Sequence, residues 1–111
     1  MMLARANRLV SAADYRSVVR RGKKCGGALT VVYSSADDEF PVPRFGFIVS
    51  KAVGNAVVRN TVRRRLKAVC FEVIPLIDSH RRVVVRALPS AASASFDELR
   101  AEVNRALGAT L

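Results

Sequence analysis

Apolar residues recur along this chain with two different periods, and each change of period marks a change of element. Tyr15, Val18 and Val19 share one helical face behind Ser11-Ala12-Ala13-Asp14, a capping box with Asp where Glu or Gln is usual. Val10 and Tyr15 flank that cap as a hydrophobic staple would, and Gly22 is placed as a stop. A first helix is therefore predicted over Ala12 to Arg21. The β-branched and aromatic run Ala28 to Ser34 predicts a strand, with a short strand at Lys23 to Gly26 before it. The acidic loop Ser35 to Pro43 is expected to join two antiparallel strands. In the second of these, Phe45, Phe47 and Val49 alternate with Gly46, Ile48 and Ser50. Gly46 in such a strand implies close backbone approach or a bulge.

The period then returns to that of a helix. Asn55 is a good N-cap, and Val58, Val62, Leu66, Val69, Cys70 and Val73 keep helical spacing up to Pro75. Val83, Val84 and Val85 predict a short buried strand, stopped by Pro89. Ser95-Phe96-Asp97-Glu98 is a full capping box. It opens a last helix with Phe96, Leu99, Val103 and Leu107 on one stripe and Gly108 at its end. The order helix–strands–helix–strand–helix predicts an α+β fold, a single-domain α/β sandwich with helices packed on one sheet.

Composition narrows this picture. The chain has 111 residues, half of them apolar, which suits one domain over 1–111 with a core of its own. No apolar run is long enough for a membrane span. The first ten residues are broken by Arg5, Asn7 and Arg8 and lack the stretch of a secretory signal, so a cytoplasmic location is expected. Cys25 and Cys70 are far apart and read as free thiols, with Cys70 in the core. No ligand pairs stand at zinc spacing, and no metal or cofactor is expected on the protein alone. A Cys/His pair needs only one residue of each kind and stays open on sequence grounds.

Charge changes the picture most. The net charge is +10, and it is concentrated. Residues 1–24 carry seven basic side chains against one acidic, and residues 51–67 carry six against none. Two such segments point to a polyanionic partner. On a helical wheel Arg59, Arg63 and Lys67 follow one another along the border of the apolar arc, Asn60 and Arg64 lie further round, and Arg65 falls on the opposite flank. Like charges at i, i+4 repel each other, a cost that a bound polyanion relieves. Arg also grips phosphate oxygens through two parallel hydrogen bonds. A merely solvated face would mix signs, and this one does not.

The stretch Lys51-Ala52-Val53-Gly54-Asn55-Ala56-Val57-Val58-Arg59-Asn60-Thr61-Val62-Arg63-Arg64-Arg65-Leu66-Lys67 resembles the signature of the bacterial ribonuclease P protein family. The resemblance extends to Asn7-Arg8-Leu9, Asp14-Tyr15, Gly22, the Val31 to Tyr33 strand, Arg86 and Pro89. Thr61 departs from it, since many members carry Arg there. The resemblance implies a left-handed βαβ crossover. It also implies a protein that assists a large catalytic RNA in removing the 5′ leader of precursor tRNA, with Mg2+ held by the RNA. Carried over, Lys51, Asn55, Arg59, Asn60, Arg63, Arg64, Arg65 and Lys67 would contact the catalytic RNA. Arg8, Tyr15, Val19, Val31, Tyr33 and Arg86 would line a leader cleft. The partners implied are the catalytic RNA and precursor tRNA, with no membrane and no obligate protein partner. Read from the residues alone, Tyr15 and Tyr33 are either stacking platforms for unpaired bases or half-buried core.

Rival readings explain less. A structural, ribosomal-type RNA-binding protein accounts for the charge but not for the pattern over Lys51 to Lys67. A DNA-recognition helix usually follows another helix closely, whereas a strand precedes this one. The apolar arc carries no aromatic residue before Phe71, which suits core better than a membrane surface. A protein-only nuclease would need a carboxylate cluster for magnesium, and the basic segments have none.

Overall fold

The computed structural model describes residues 3–36, 41–77 and 79–110. Three helices, α1 (Ala12–Arg21), α2 (Ala56–Val73) and α3 (Phe96–Thr110), pack on a four-stranded sheet of β1 (Lys23–Gly26), β2 (Thr30–Ala36), β3 (Arg44–Ile48) and β4 (Arg81–Ala87). The strand order is β1-β2-β4-β3. β1 and β2 form an antiparallel hairpin, β2 is antiparallel to β4, and β3 is parallel to β4. The expectation that the acidic loop joins two strands is met, but the strands are not neighbours. The loop's Asp37, Asp38 and Glu39 lie outside the described residues. β4, last in sequence, sits between β2 and β3. Val83, Val84 and Val85 are buried on both faces of the sheet, the pattern of a central strand.

Strand alternation divides the core in two. Val32, Phe45, Val83 and Val85 face α2 and α3 in the main core, with Val62, Leu66, Val69 and Cys70 of α2 and Leu99 and Val103 of α3. Tyr33 and Val84 face the other way and pack with Leu9 and Val18 under α1. Burial pushes the Cys70 thiol far up, so it stays a protonated core residue. The N-terminal segment crosses the free edge of β3. There the Leu9 amide donates to the Phe45 carbonyl at 2.8 Å, with Leu3 buried in one core and Leu9 in the other.

Local details follow the sequence rules with corrections. Ser11 caps α1 by accepting from the Asp14 amide at 3.0 Å, but the Asp14 carboxylate pairs with Arg82 instead of closing the box. The staple is absent: Val10 is 80% exposed, and Leu9 takes the buried position. Gly22 ends α1, and a Cβ there would meet the Val18 and Ser34 carbonyl oxygens at 2.5 and 2.8 Å. α3 has its complete capping box, with Glu98 and Ser95 bonded both ways, which holds the Glu98 carboxyl below its ordinary range. Gly108 does not stop α3, which runs on to Thr110.

β2 begins two residues later than Ala28 because a buried carboxylate captures the turn before it. Glu102 of α3, 6% exposed, accepts from the Leu29 amide at 3.0 Å and the Thr30 hydroxyl at 2.6 Å. A Cβ at Gly27 would collide with the same carboxylate. Glu102→Ala is expected to lower stability by about 1–3 kcal/mol, the cost of leaving such donors without an acceptor. Chemical denaturation measures it, and an unshifted midpoint would show that the clasp contributes nothing.

Candidate nucleic-acid interface

Two surfaces carry the sequence-predicted residues. The first is the outer flank of α2. Asn55 caps the helix by accepting from the Val58 amide at 2.9 Å, which leaves it exposed at the helix start with Lys51 in the preceding turn. Val62, Leu66, Val69 and Cys70 bury the opposite side. Asn60 and Arg64 are exposed, while Arg59, Arg63 and Lys67 lie half-buried along the border. Arg63 donates to the Asn60 side-chain oxygen at 3.0 Å and to the Val49 carbonyl at 3.4 Å, which holds its guanidinium against the end of β3. Thr61 donates to the Val57 carbonyl at 3.1 Å and presents no cation. Arg65 stands apart from the row, because it donates to the Ala94 carbonyl at 2.8 Å and ties α2 to the loop before α3.

The second surface is a cleft between α1 and the sheet. Tyr15, Arg16, Val19, Arg20, Ile48 and Arg86 line a cavity of about 430 Å³ there. Tyr15 lies against Gly46, where a Cβ would fall 2.5 Å from the ring's Cζ. Its hydroxyl oxygen accepts from the Phe47 amide at 3.2 Å. The expected close approach at Gly46 is thus made by an aromatic ring. Tyr33 is differently placed. It is 5% exposed, and the Arg86 guanidinium carbon lies 5.9 Å from its ring centroid. Tyr33 is therefore floor beneath Arg86, and the expectation that both tyrosines flank an open groove holds for Tyr15 alone. Val31 and Val19 pack half-buried beside it.

The two surfaces meet. A smaller pocket of about 190 Å³ brings Arg8, Leu9 and Tyr15 together with Phe45, Phe47, Arg63 and Lys67. Its cations come from the N-terminal segment and from α2, far apart in sequence. Sequence reasoning named Arg8, Tyr15, Arg63 and Lys67 but divided them between separate sites. The parallel pairing of Arg8 with Phe45 joins them, and no local pattern signals that bridge. Among the described residues no three His, Cys, Asp or Glu side chains converge to hold a metal ion, and no helix is long and apolar enough to cross a membrane.

A single α+β domain with a cationic helix flank running into a basic-rimmed cleft is a polyanion-binding module. The comparisons specify it further. The family model described as Ribonuclease P matches residues 3–110. The ribonuclease P protein component of Acidothermus cellulolyticus is 47% identical over 108 residues, covering 96% of this chain and 90% of that protein. That of Clavibacter michiganensis is 45% identical over 106 residues, covering 96% and 94%. The Staphylococcus aureus RNase P protein structure aligns with a TM-score of 0.82 at 25% identity, covering 92% of this chain and 93% of that one. The Thermotoga maritima RNase P protein shares the fold, with a TM-score of 0.77 at 20% identity, covering 88% and 92%. The chain belongs to the ribonuclease P protein family, as a protein component of the holoenzyme that matures tRNA 5′ ends.

Proposed function

We propose that the α2 flank holds the catalytic RNA while the cleft under α1 receives the single-stranded 5′ leader of precursor tRNA. The observation that carries this reading is the pocket where Arg8 and Tyr15 meet Arg63 and Lys67. A strand leaving the catalytic RNA at α2 passes directly into the cleft. Lys51, Asn55, Arg59, Asn60 and Arg64 would extend the RNA-facing side, and Arg86 the leader side. Arg65 is left out because the Ala94 carbonyl already engages it. The Nε groups of Arg8 and Arg59 are buried with no acceptor among the described residues, and an RNA phosphate would satisfy both.

The protein's part is then binding and positioning. Tyr15 offers a ring face to an unpaired base, and stacking accepts every base. The cations neutralise phosphates that would otherwise repel one another where leader and catalytic RNA converge. Mg2+ in the holoenzyme would be held by the RNA and not by residues of this chain, and would supply an activated water as nucleophile. The β3–α2–β4 crossover is assigned the left-handed sense that the family resemblance implies, and the location is assigned to the cytoplasm. The test is reconstitution with the cognate large RNA and cleavage of a precursor tRNA at low magnesium. Cleavage should require both components. Cleavage by the RNA-free protein, abolished by a single substitution in this chain, would overturn the reading.

A further inference from the structure

The cleft has a second end that the proposed leader path does not use. Sheet register places two cross-strand rows on the α1 side, Lys24–Tyr33–Val84–Gly46 and Gly26–Val31–Arg86–Ile48. Tyr15 sits over Gly46 at the β3 end. The rows run from there to β1, the opposite edge of the sheet. Along the cleft, Arg16 and Arg20 form its rim. The same two residues, with Ala13, Ser17 and Arg21, line a further hollow of about 220 Å³ on the outer side of α1. The basic surface is therefore continuous from the cleft around α1. It ends at Arg21 and Lys24, both exposed. The floor at the exit is open, because a Cβ at Gly26 would touch nothing within 4 Å.

A solvated helix end is the alternative, and it explains part of this ridge. Cations in the last turn favour the helix dipole, which accounts for Arg20 and Arg21. It accounts for neither Arg16, which lies one turn before Arg20 and outside the last turn, nor Lys24, which is outside the helix. The only carboxylate of α1 is Asp14, and it pairs with Arg82 at 3.5 Å. Arg16 and Arg20 stand at i, i+4, where like charges repel.

We propose that this ridge is an exit track for the upstream part of the leader. It takes the phosphates of single-stranded RNA beyond the bases held in the cleft, without reading sequence. The inference rests on the leader lying in the cleft. It also fixes direction: the 3′ end of the leader, next to the cleavage site, lies at Arg63 and Lys67, and its 5′ end leaves past Arg20 toward Lys24. Leaders long enough to pass β1 should bind more tightly than leaders that only fill the cleft.

The experiment measures binding of the reconstituted holoenzyme to precursor tRNAs whose leaders are lengthened one nucleotide at a time. The double variant Arg21→Ala, Lys24→Ala should match the unsubstituted protein on short leaders. On long leaders it should bind roughly 2- to 30-fold more weakly, the range for two exposed ion pairs. The magnitude of its log–log salt slope should fall by about 1.4, at about 0.7 per phosphate. Equal losses at every length would place the ridge on another part of the RNA and overturn the track. So would no loss while the unsubstituted protein still gains affinity with length, which leaves the cleft reading intact. If the unsubstituted protein shows no dependence on leader length and Tyr15→Ala is silent, the cleft reading itself fails, and the track with it.

Discussion

Replacing Arg59, Arg63 and Arg64 together by alanine is expected to reduce the salt dependence of catalytic-RNA binding. The magnitude of the log–log slope should fall by roughly 2 to 3, at about 0.7 to 0.9 per phosphate neutralised. With Arg59, Arg63, Arg64 and Lys67 engaged, the unsubstituted protein should have a helix contribution of about −2.8 to −3.6 by the same rule. The fold should survive, since Arg64 is exposed and the other two lie at the border of the buried face. Two controls on the same helix separate binding from folding. Leu66 is fully buried, so Leu66→Ala should lower stability by about 2–5 kcal/mol. Arg65→Ala removes the tie to Ala94 and should lower stability while leaving the salt slope in place. Titrations at several salt concentrations, paired with denaturation curves, read both effects. An unchanged slope in the triple variant would reduce the helix face to a solvated surface.

The second large effect concerns Tyr15. Tyr15→Ala is expected to weaken holoenzyme binding of precursor tRNA by about 1–3 kcal/mol, the range for one stacked base. Mature tRNA lacks the leader, so its affinity should hold. The contact with Gly46 supplies an independent route to the same state. Gly46→Ala puts a Cβ 2.5 Å from the ring's Cζ, so the ring must leave its seat. It should mimic Tyr15→Ala although the tyrosine remains. Tyr15→Phe keeps the ring and loses only the bond accepted from the Phe47 amide, so it should retain most of the leader affinity. Parallel losses for precursor and mature tRNA would return Tyr15 to the role of a core residue.

These residues also mark how far sequence could reach. Period and caps located α1 to the residue, and the start of α2 at Asn55, because both depend on neighbours within a few positions. The cation row on α2 was legible for the same reason. The neighbour relations of the strands were not. β2 and β3 are consecutive, yet each pairs with β4, a choice made by long-range packing. Tyr33 looked equivalent to Tyr15 because both are aromatic residues in amphipathic segments. Only the cross-strand register puts Arg86 over one and not the other. Glu102 gave no signal, since a single acid on a helix reads as solvated until the turn it clasps is known.

The central position of β4 orders the events of synthesis. When the ribosome has made β1, β2, β3 and α2, only the β1–β2 hairpin can pair among the described strands. β2 and β3 must wait for residues 81–87, and long-range pairing of this kind is slow. The floor of the cleft runs across β2, β4 and β3, and the seat of α2 includes β4 as well. Both surfaces proposed to face RNA therefore depend on β4 and would be completed together, late. A nascent chain carries the full positive charge of α2 before β4 exists, so on the proposed reading selective binding would begin only once the last strand is threaded into the middle of the sheet.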